Sequence, residues 1–180
     1  LALDAGSGAV LWEQTIANSA IAEILTMPPL IFEDQVIIGA AVSEAGGFGC
    51  MGASTMAHDE MVDEIAQVRQ LTSKPFGVDL LTAAPGDLAV KVNALIDGGA
   101  RVFAAGLGVP RDVVDLCHER NVLVLSMCGK VRHAIAAVEA GCDIVVAQGT
   151  EAGGHTGQVA TMALVPQVVD AVGDRVPVVA

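Results

Sequence analysis

Residues 122–148 read VLVLSMCGKVRHAIAAVEAGCDIVVAQ, and their order decides the fold. Val122-Leu123-Val124-Leu125 opens an unbroken apolar run, expected as a strand over residues 122–128 that is covered on both faces. A helical stretch over 131–139 follows. Ala140-Gly141-Cys142 then places a glycine where a helix ends in a left-handed residue. Residues 144–148 form a second short apolar strand ending on the polar Gln148.

The same unit recurs on either side. Strands are expected at 48–52, 76–81, 102–106 and 176–180, and helices at 58–71, 87–96, 110–119 and 162–172. In the first helix Met61, Ile65, Val68 and Leu71 recur at helical spacing, with Asp63, Glu64 and Arg69 turned outward. Ala45-Gly46-Gly47 and Asp97-Gly98-Gly99 are further helix stops, and Pro110 suits a first helical turn, where its missing N–H would have no partner. Strands alternating with helices make a parallel α/β sheet. Two architectures satisfy that pattern, a doubly wound open sheet and a (β/α)8 barrel, and both put chemistry at the carboxyl ends of the strands. Six expected strands are too few to close an eight-stranded barrel.

Residues 1–39 break the pattern. Stretches 1–10 and 11–16 flank a glycine-rich turn, and 30–38 reads as another strand after Pro28-Pro29, which is hairpin chemistry. The chain lacks an initiator Met, and 176–180 reads as a strand without its turn, so a fragment is expected.

The 180 residues, 53% of them hydrophobic, suffice for one buried core and exclude a disordered chain. Apolar runs fall short of the roughly 18–20 residues of a membrane span, and no basic-then-apolar leader opens the sequence. Nine basic residues against 21 acidic ones give a net charge of −12, which repels nucleic acid and anionic membranes. Cys50, Cys117, Cys128 and Cys142 form no C-x-x-C pair. Scattered through apolar segments, they are expected to be reduced core residues, as in cytoplasm.

Gly47-Phe48-Gly49-Cys50-Met51-Gly52 matches the dinucleotide pattern G-x-G-x-x-G. Those glycines must join a strand to a helix for that role, and here they are the strand, so packing is the better reading. His58, His118 and His133 sit at helix starts or ends without metal-ligand spacing. Ser126 lacks a nucleophile elbow. The loop from Gln148 to Gly157 is different. It leaves a strand end, carries four glycines that let a ligand approach the backbone, and holds His155, which titrates near neutral pH.

That loop, Ala147-Gln148-Gly149-Thr150-Glu151-Ala152-Gly153-Gly154-His155-Thr156-Gly157, resembles the signature loop of the nitronate monooxygenase family, which also contains flavin-dependent enoyl-acyl-carrier-protein reductases. Ala41-Val42-Ser43-Glu44-Ala45-Gly46-Gly47-Phe48-Gly49, Lys74-Pro75-Phe76-Gly77-Val78-Asp79-Leu80, Leu164-Val165-Pro166-Gln167-Val168-Val169-Asp170 and Pro177-Val178-Val179-Ala180 agree with the family in order and spacing. The resemblance implies that residues 40–180 form an incomplete FMN-binding (β/α)8 TIM barrel, lacking the first strand and the last βα unit. It implies FMN as cofactor, a nitronate or nitroalkane as small-molecule substrate and O2 as co-substrate, and it is compatible with a homo-oligomer. His155 would take the α-proton of a nitroalkane or steer the nitronate anion. Gln148 and the Gly153-Gly154 backbone would contact the flavin, as would Asp79, where the family often has asparagine. Lys130 would approach the isoalloxazine or the ribityl chain, or else be an ordinary solvated lysine at a helix start. An enoyl-acyl-carrier-protein reductase using NAD(P)H and an inactive truncated fragment are the alternatives. Within residues 1–39, Ala2-Leu3-Asp4-Ala5-Gly6-Ser7-Gly8-Ala9-Val10-Leu11-Trp12 resembles a β-propeller blade of quinoprotein alcohol dehydrogenases, as if joined to the barrel by fusion or sequence assembly near residues 39–41.

Overall fold

The computed structural model describes residues 2–3, 10–12, 30–32, 35–37, 47–84, 86–153 and 156–180. Two short antiparallel pairs come first. Strand β1 (Ala2–Leu3) pairs with β2 (Val10–Trp12), and β3 (Leu30–Phe32) pairs with β4 (Gln35–Ile37). Val10 therefore belongs to the second strand of its hairpin. The expected single strand over 30–38 is itself a hairpin with Phe32 opposite Gln35.

The remaining elements follow the predicted alternation: β5 (Gly49–Gly52), α1 (His58–Leu71), β6 (Phe76–Leu81), α2 (Leu88–Asp97), β7 (Val102–Gly106), α3 (Arg111–Glu119), β8 (Leu123–Cys128), α4 (Val131–Ala140), β9 (Ile144–Ala147), α5 (Thr161–Val172) and β10 (Val178–Val179). Their six strands form one parallel sheet in the order β10-β9-β8-β7-β6-β5. The order never reverses, so there is no switch point of a doubly wound sheet. Chain order and spatial order coincide, as in a (β/α)8 barrel.

Helix ends show why these segments stop where they do. The Asp87 carboxylate accepts N–H bonds from Ala89 and Val90 and opens α2. Gly99 (φ 91°) and Gly141 (φ 101°) adopt the left-handed conformation just past α2 and α4. Pro110 precedes the first helical residue of α3 instead of occupying it; its extended ψ of 144° makes it the cap. Leu71, expected on the buried face of α1, is 71% exposed, because the chain turns away at the buried Thr72.

The core lies between the sheet and the helices. Val78, Leu80, Phe103, Ala105, Val124 and Val145 project from alternate strand positions onto Met61, Ile65, Val92, Leu95, Val114, Leu164 and Val168. Each such large side chain contributes about 1.5–3 kcal/mol by leaving water. The expectation that the strands are covered on both faces holds for β7, which is buried at every position, but not for β8. Along β8 burial alternates, and Leu123 is 47% exposed. Helices cover one face; the other is the concave side of the curving sheet, which a barrel covers with strands from across its axis rather than with helices.

The cysteines divide in the same way. Cys117, Cys128 and Cys142 are buried and free, with burial pushing all three thiols up, Cys117 to about 11 and Cys142 to about 12. Cys50, expected in the core, is exposed. It sits on β5 opposite Gly77, on the face away from the helices. Among the described residues no helix is long and apolar enough to cross a membrane.

Candidate active site

The carboxyl ends of β6, β8 and β9 present three of the expected contacts. Asp79 stands in register between Gly52 of β5 and Ala104 of β7. Its neighbours in the chain, Val78 and Leu80, face the helices, so alternation turns Asp79 to the concave side. Burial raises its carboxyl to about 6, although a hydrogen bond from the Ser54 hydroxyl works in the opposite direction. Ser54 in turn accepts the Leu81 N–H at 2.9 Å, which ties the β5–α1 loop to the end of β6. A protonated Asp79 can donate a hydrogen bond.

Gln148 follows the last residue of β9, one step beyond the strand in which it was expected. Its N–H bonds to the Cys128 carbonyl at 3.0 Å, and its side-chain Nε2 donates to the Gly153 carbonyl at 3.3 Å. Lys130 caps α4 through its backbone and makes no side-chain capping bond. The residue before it, Gly129, lies against Gly157; a methyl group on Gly157 would come within 2.6 Å of the Gly129 carbonyl oxygen. Gln148, Gly153 and the Gly129–Lys130 turn are thus gathered at one place. Asp79 is not with them. Its strand, β6, is three positions from β9 in the sheet, about 14 Å at the usual strand spacing. Gly154 and His155 lie outside the described residues.

Three residues that the sequence reading passed over complete the region. Glu151 Oε2 accepts the Thr161 N–H at 2.8 Å, the Thr161 hydroxyl at 2.8 Å and the Thr150 hydroxyl at 3.1 Å. Bonds from the Thr161 backbone and then from its side chain hold this exposed carboxyl down at about 2. The available signal for Glu151 was indirect: Ala160, which caps α5, has no side-chain oxygen, so the helix must find its cap elsewhere. Another unread pair lies at the opposite end of the strands. There His118 Nε2 meets Asp143 Oδ2 at 2.9 Å, and Asp143 also accepts the Val124 N–H at 2.7 Å.

The dinucleotide reading of Gly47–Gly52 is set aside by the structure, since Gly49–Gly52 is itself β5. Ser126 is buried, with no place for a substrate. No group of three or more His, Cys, Asp or Glu side chains able to hold a metal occurs among the described residues.

The sequence model of the nitronate monooxygenase family matches residues 19–89 and 82–180. The chain belongs to that family. The match reaches back to residue 19, inside the segment expected to be foreign, and the propeller resemblance of residues 1–39 finds no support. Over 142 residues the chain is 37% identical to a Mycobacterium tuberculosis enzyme named as a 5-hydroxy-7a-methyl-1-oxo-octahydro-1H-indene-4-carboxyl-CoA dehydrogenase; the alignment covers 78% of this chain and 40% of the relative. FabK from Thermotoga maritima superposes with a TM-score of 0.72 at 36% identity, over 78% of this chain and 44% of that one. A nitroalkane oxidase from Streptomyces ansochromogenes gives 0.70 at 29% identity, over 78% and 52%. The chain therefore spans about half the length of these proteins or less. Together with the parallel sheet, these superpositions identify the fold as part of a TIM barrel.

The residues at the rim suit the ring and ribityl chain of FMN, the cofactor expected of the family. A side chain built on Gly52, which pairs with Asp79, would meet nothing within 4 Å, so the sheet is open at that point of the rim. Gln148 offers both a donor and an acceptor and Lys130 a cation, groups that suit the polar atoms of a flavin, while Asp79 offers a carboxyl at a separate point of the sheet.

Proposed function

We propose that the protein is an FMN-dependent oxidoreductase that oxidises alkyl nitronates or nitroalkanes with O2. The observation that carries this reading is the pinned loop 148–160 at the carboxyl end of β9, which contains His155 and brings Gln148 and Gly153 beside Lys130.

The chemistry asks for a base that removes the proton on the carbon bearing the nitro group. An imidazole suits this task near neutral pH. His155 takes the proton onto a ring nitrogen, and the negative charge left on the substrate moves to the nitro oxygens. Bound FMN would supply the redox chemistry between the nitronate and O2. Gln148, Asp79 and the Gly153-Gly154 backbone would hold the ring, and Lys130 would support its electron-rich edge or the ribityl chain. Gly129 and Gly157 keep the loop close to the β8–α4 turn, limiting the water that reaches the substrate. The unpaired cysteines favour a reducing compartment such as cytoplasm.

The test is His155→Ala in the full-length flavoprotein. Turnover of a nitroalkane should fall at least about a hundredfold, within the usual share of a general base, with the flavin absorbance retained. Undiminished turnover removes His155 from the chemistry.

A second reading, an enoyl-acyl-carrier-protein reductase using NAD(P)H, is favoured by the similarity to FabK and to a carboxyl-CoA dehydrogenase. Anaerobic mixing with NADPH separates the two. Rapid bleaching of the flavin supports the reductase, and an unchanged spectrum supports the monooxygenase. Residues 1–180 alone, if colourless after purification with FMN, behave as the inert portion of a longer enzyme.

A further inference from the structure

We propose that Glu151 is a positioning residue of the loop that carries His155: by tying Thr150 to Thr161 it closes the neck of that loop. The inference rests on the reading of His155 as the base.

The loop would otherwise be slack. Residues 149–160 include four glycines, which lose more freedom on ordering than any other residue. Helix α5 also starts without a cap of its own, because Ala160 has no side chain that could accept its first N–H groups. Glu151 answers both needs from ten residues upstream. A single oxygen, Oε2, takes the backbone N–H and the hydroxyl of Thr161 together with the hydroxyl of Thr150. Beside this knot the Thr150 N–H bonds to the Val159 carbonyl at 3.0 Å, closing the loop at its neck. Gly149 is pressed against Thr161 so closely that any side chain there would overlap its backbone nitrogen and hydroxyl. The far limb is held by the Gly157–Gly129 contact.

The clamp persists at every pH at which an imidazole works. Bonds from Thr161 keep the carboxyl ionised down to about 2, well below the range in which a histidine gains its proton. Proton removal is sensitive to placement, since a shift of about 1 Å can cost on the order of a hundredfold. Loosening the loop should therefore hurt the step that needs the base and spare a substrate that is already deprotonated.

The experiment compares nitroethane with preformed ethyl nitronate, using the full-length FMN-loaded protein and its Glu151→Ala and Glu151→Gln variants. In Glu151→Ala, kcat with nitroethane should fall about thirtyfold or more while kcat with ethyl nitronate changes less than about threefold, at unchanged FMN content. Glu151→Gln keeps an oxygen for Thr161 and should recover to within about fivefold of the parent. Amide exchange over residues 150–161 should quicken about tenfold in Glu151→Ala, with β8 unchanged. Equal losses with both substrates, or unaltered exchange, overturn the clamp. A parent that turns over neither substrate defeats the nitronate reading instead, and exchange alone then decides for or against the clamp. Should Glu151→Ala fail to fold, Thr161→Val removes one donor only. A several-fold loss confined to nitroethane supports the proposal, and an equal loss with both substrates overturns it.

Discussion

Asp79, toward the carboxyl end of β6, and Glu151, in the loop after β9, carry the same functional group on the same side of the sheet. Burial lifts the first to about 6, and hydrogen bonds hold the second at about 2. Asp79 has lost water and gained chiefly one hydroxyl; Glu151 keeps its water and collects three donors. The difference shows that charge at this rim is set by the local supply of N–H and O–H groups. One acid is thereby free to act as a neutral donor toward a ligand, and the other is a permanent anion that organises backbone.

The severest way to break this contrast is Gly149→Ala. The added methyl group overlaps Thr161, so Glu151 and Thr161 must part, at a cost of about 3 kcal/mol or more. Chemical denaturation of the parent and variant measures it, and a cost below about 1 kcal/mol would mean that the loop tolerates a wider neck.

Next in size comes Asp79→Asn. A carboxyl whose folded value is raised from 3.8 to about 6 contributes its stability only while protonated. That contribution is complete below 3.8 and is lost as pH rises through 6. At pH 8 the ionised Asp79 is therefore a burden, and the neutral amide should stabilise the protein by at most about 3 kcal/mol. The gain should vanish below about pH 4. Thermal unfolding of both proteins across this range is the check, and a gain independent of pH would place its origin in packing rather than charge. Glu151 runs the other way. Its contribution is present above 4.5 and declines only as pH falls toward 2, so no loosening of the loop is expected between pH 5 and 8.

Asp87→Ala sharpens the comparison with the smallest effect. Asp87 caps its own helix from within three residues, whereas Glu151 caps α5 across a whole loop. Losing the local cap should cost about 1 kcal/mol and leave turnover at the parent value. A larger effect on turnover than on stability would tie the α2 start to the active site as well.

How far the chain could be read without coordinates follows from the range of the interactions. Helices α1 to α5 and strands β6 and β7 lie where residue periodicity and capping place them, because both signals act within a few neighbours. Gln148 stood out by its place at a strand end, while Gly153 and Lys130 were named through the family resemblance; the structure brings Gln148 and Gly153 near the Gly129–Lys130 turn. Glu151 stood out in neither way. A glutamate between a threonine and an alanine looks like any solvated loop residue, and its partner Thr161 is ten positions away. Ser54 and Leu81, 27 residues apart, were hidden for the same reason. The hairpin within residues 30–38 was misread because an apolar run does not reveal where it folds back.

By itself the sequence determined that strands and helices alternate from residue 48 onward and which loop carries the histidine, since these depend on contacts between near neighbours along the chain. Only the tertiary structure decided that the strands run in unbroken spatial order, that one face of the sheet is left to the barrel interior, and that burial lifts one rim carboxyl to about 6 while hydrogen bonds hold another at about 2. Those outcomes arise from groups brought together across the sheet, where burial and the count of available donors are set by the fold as a whole.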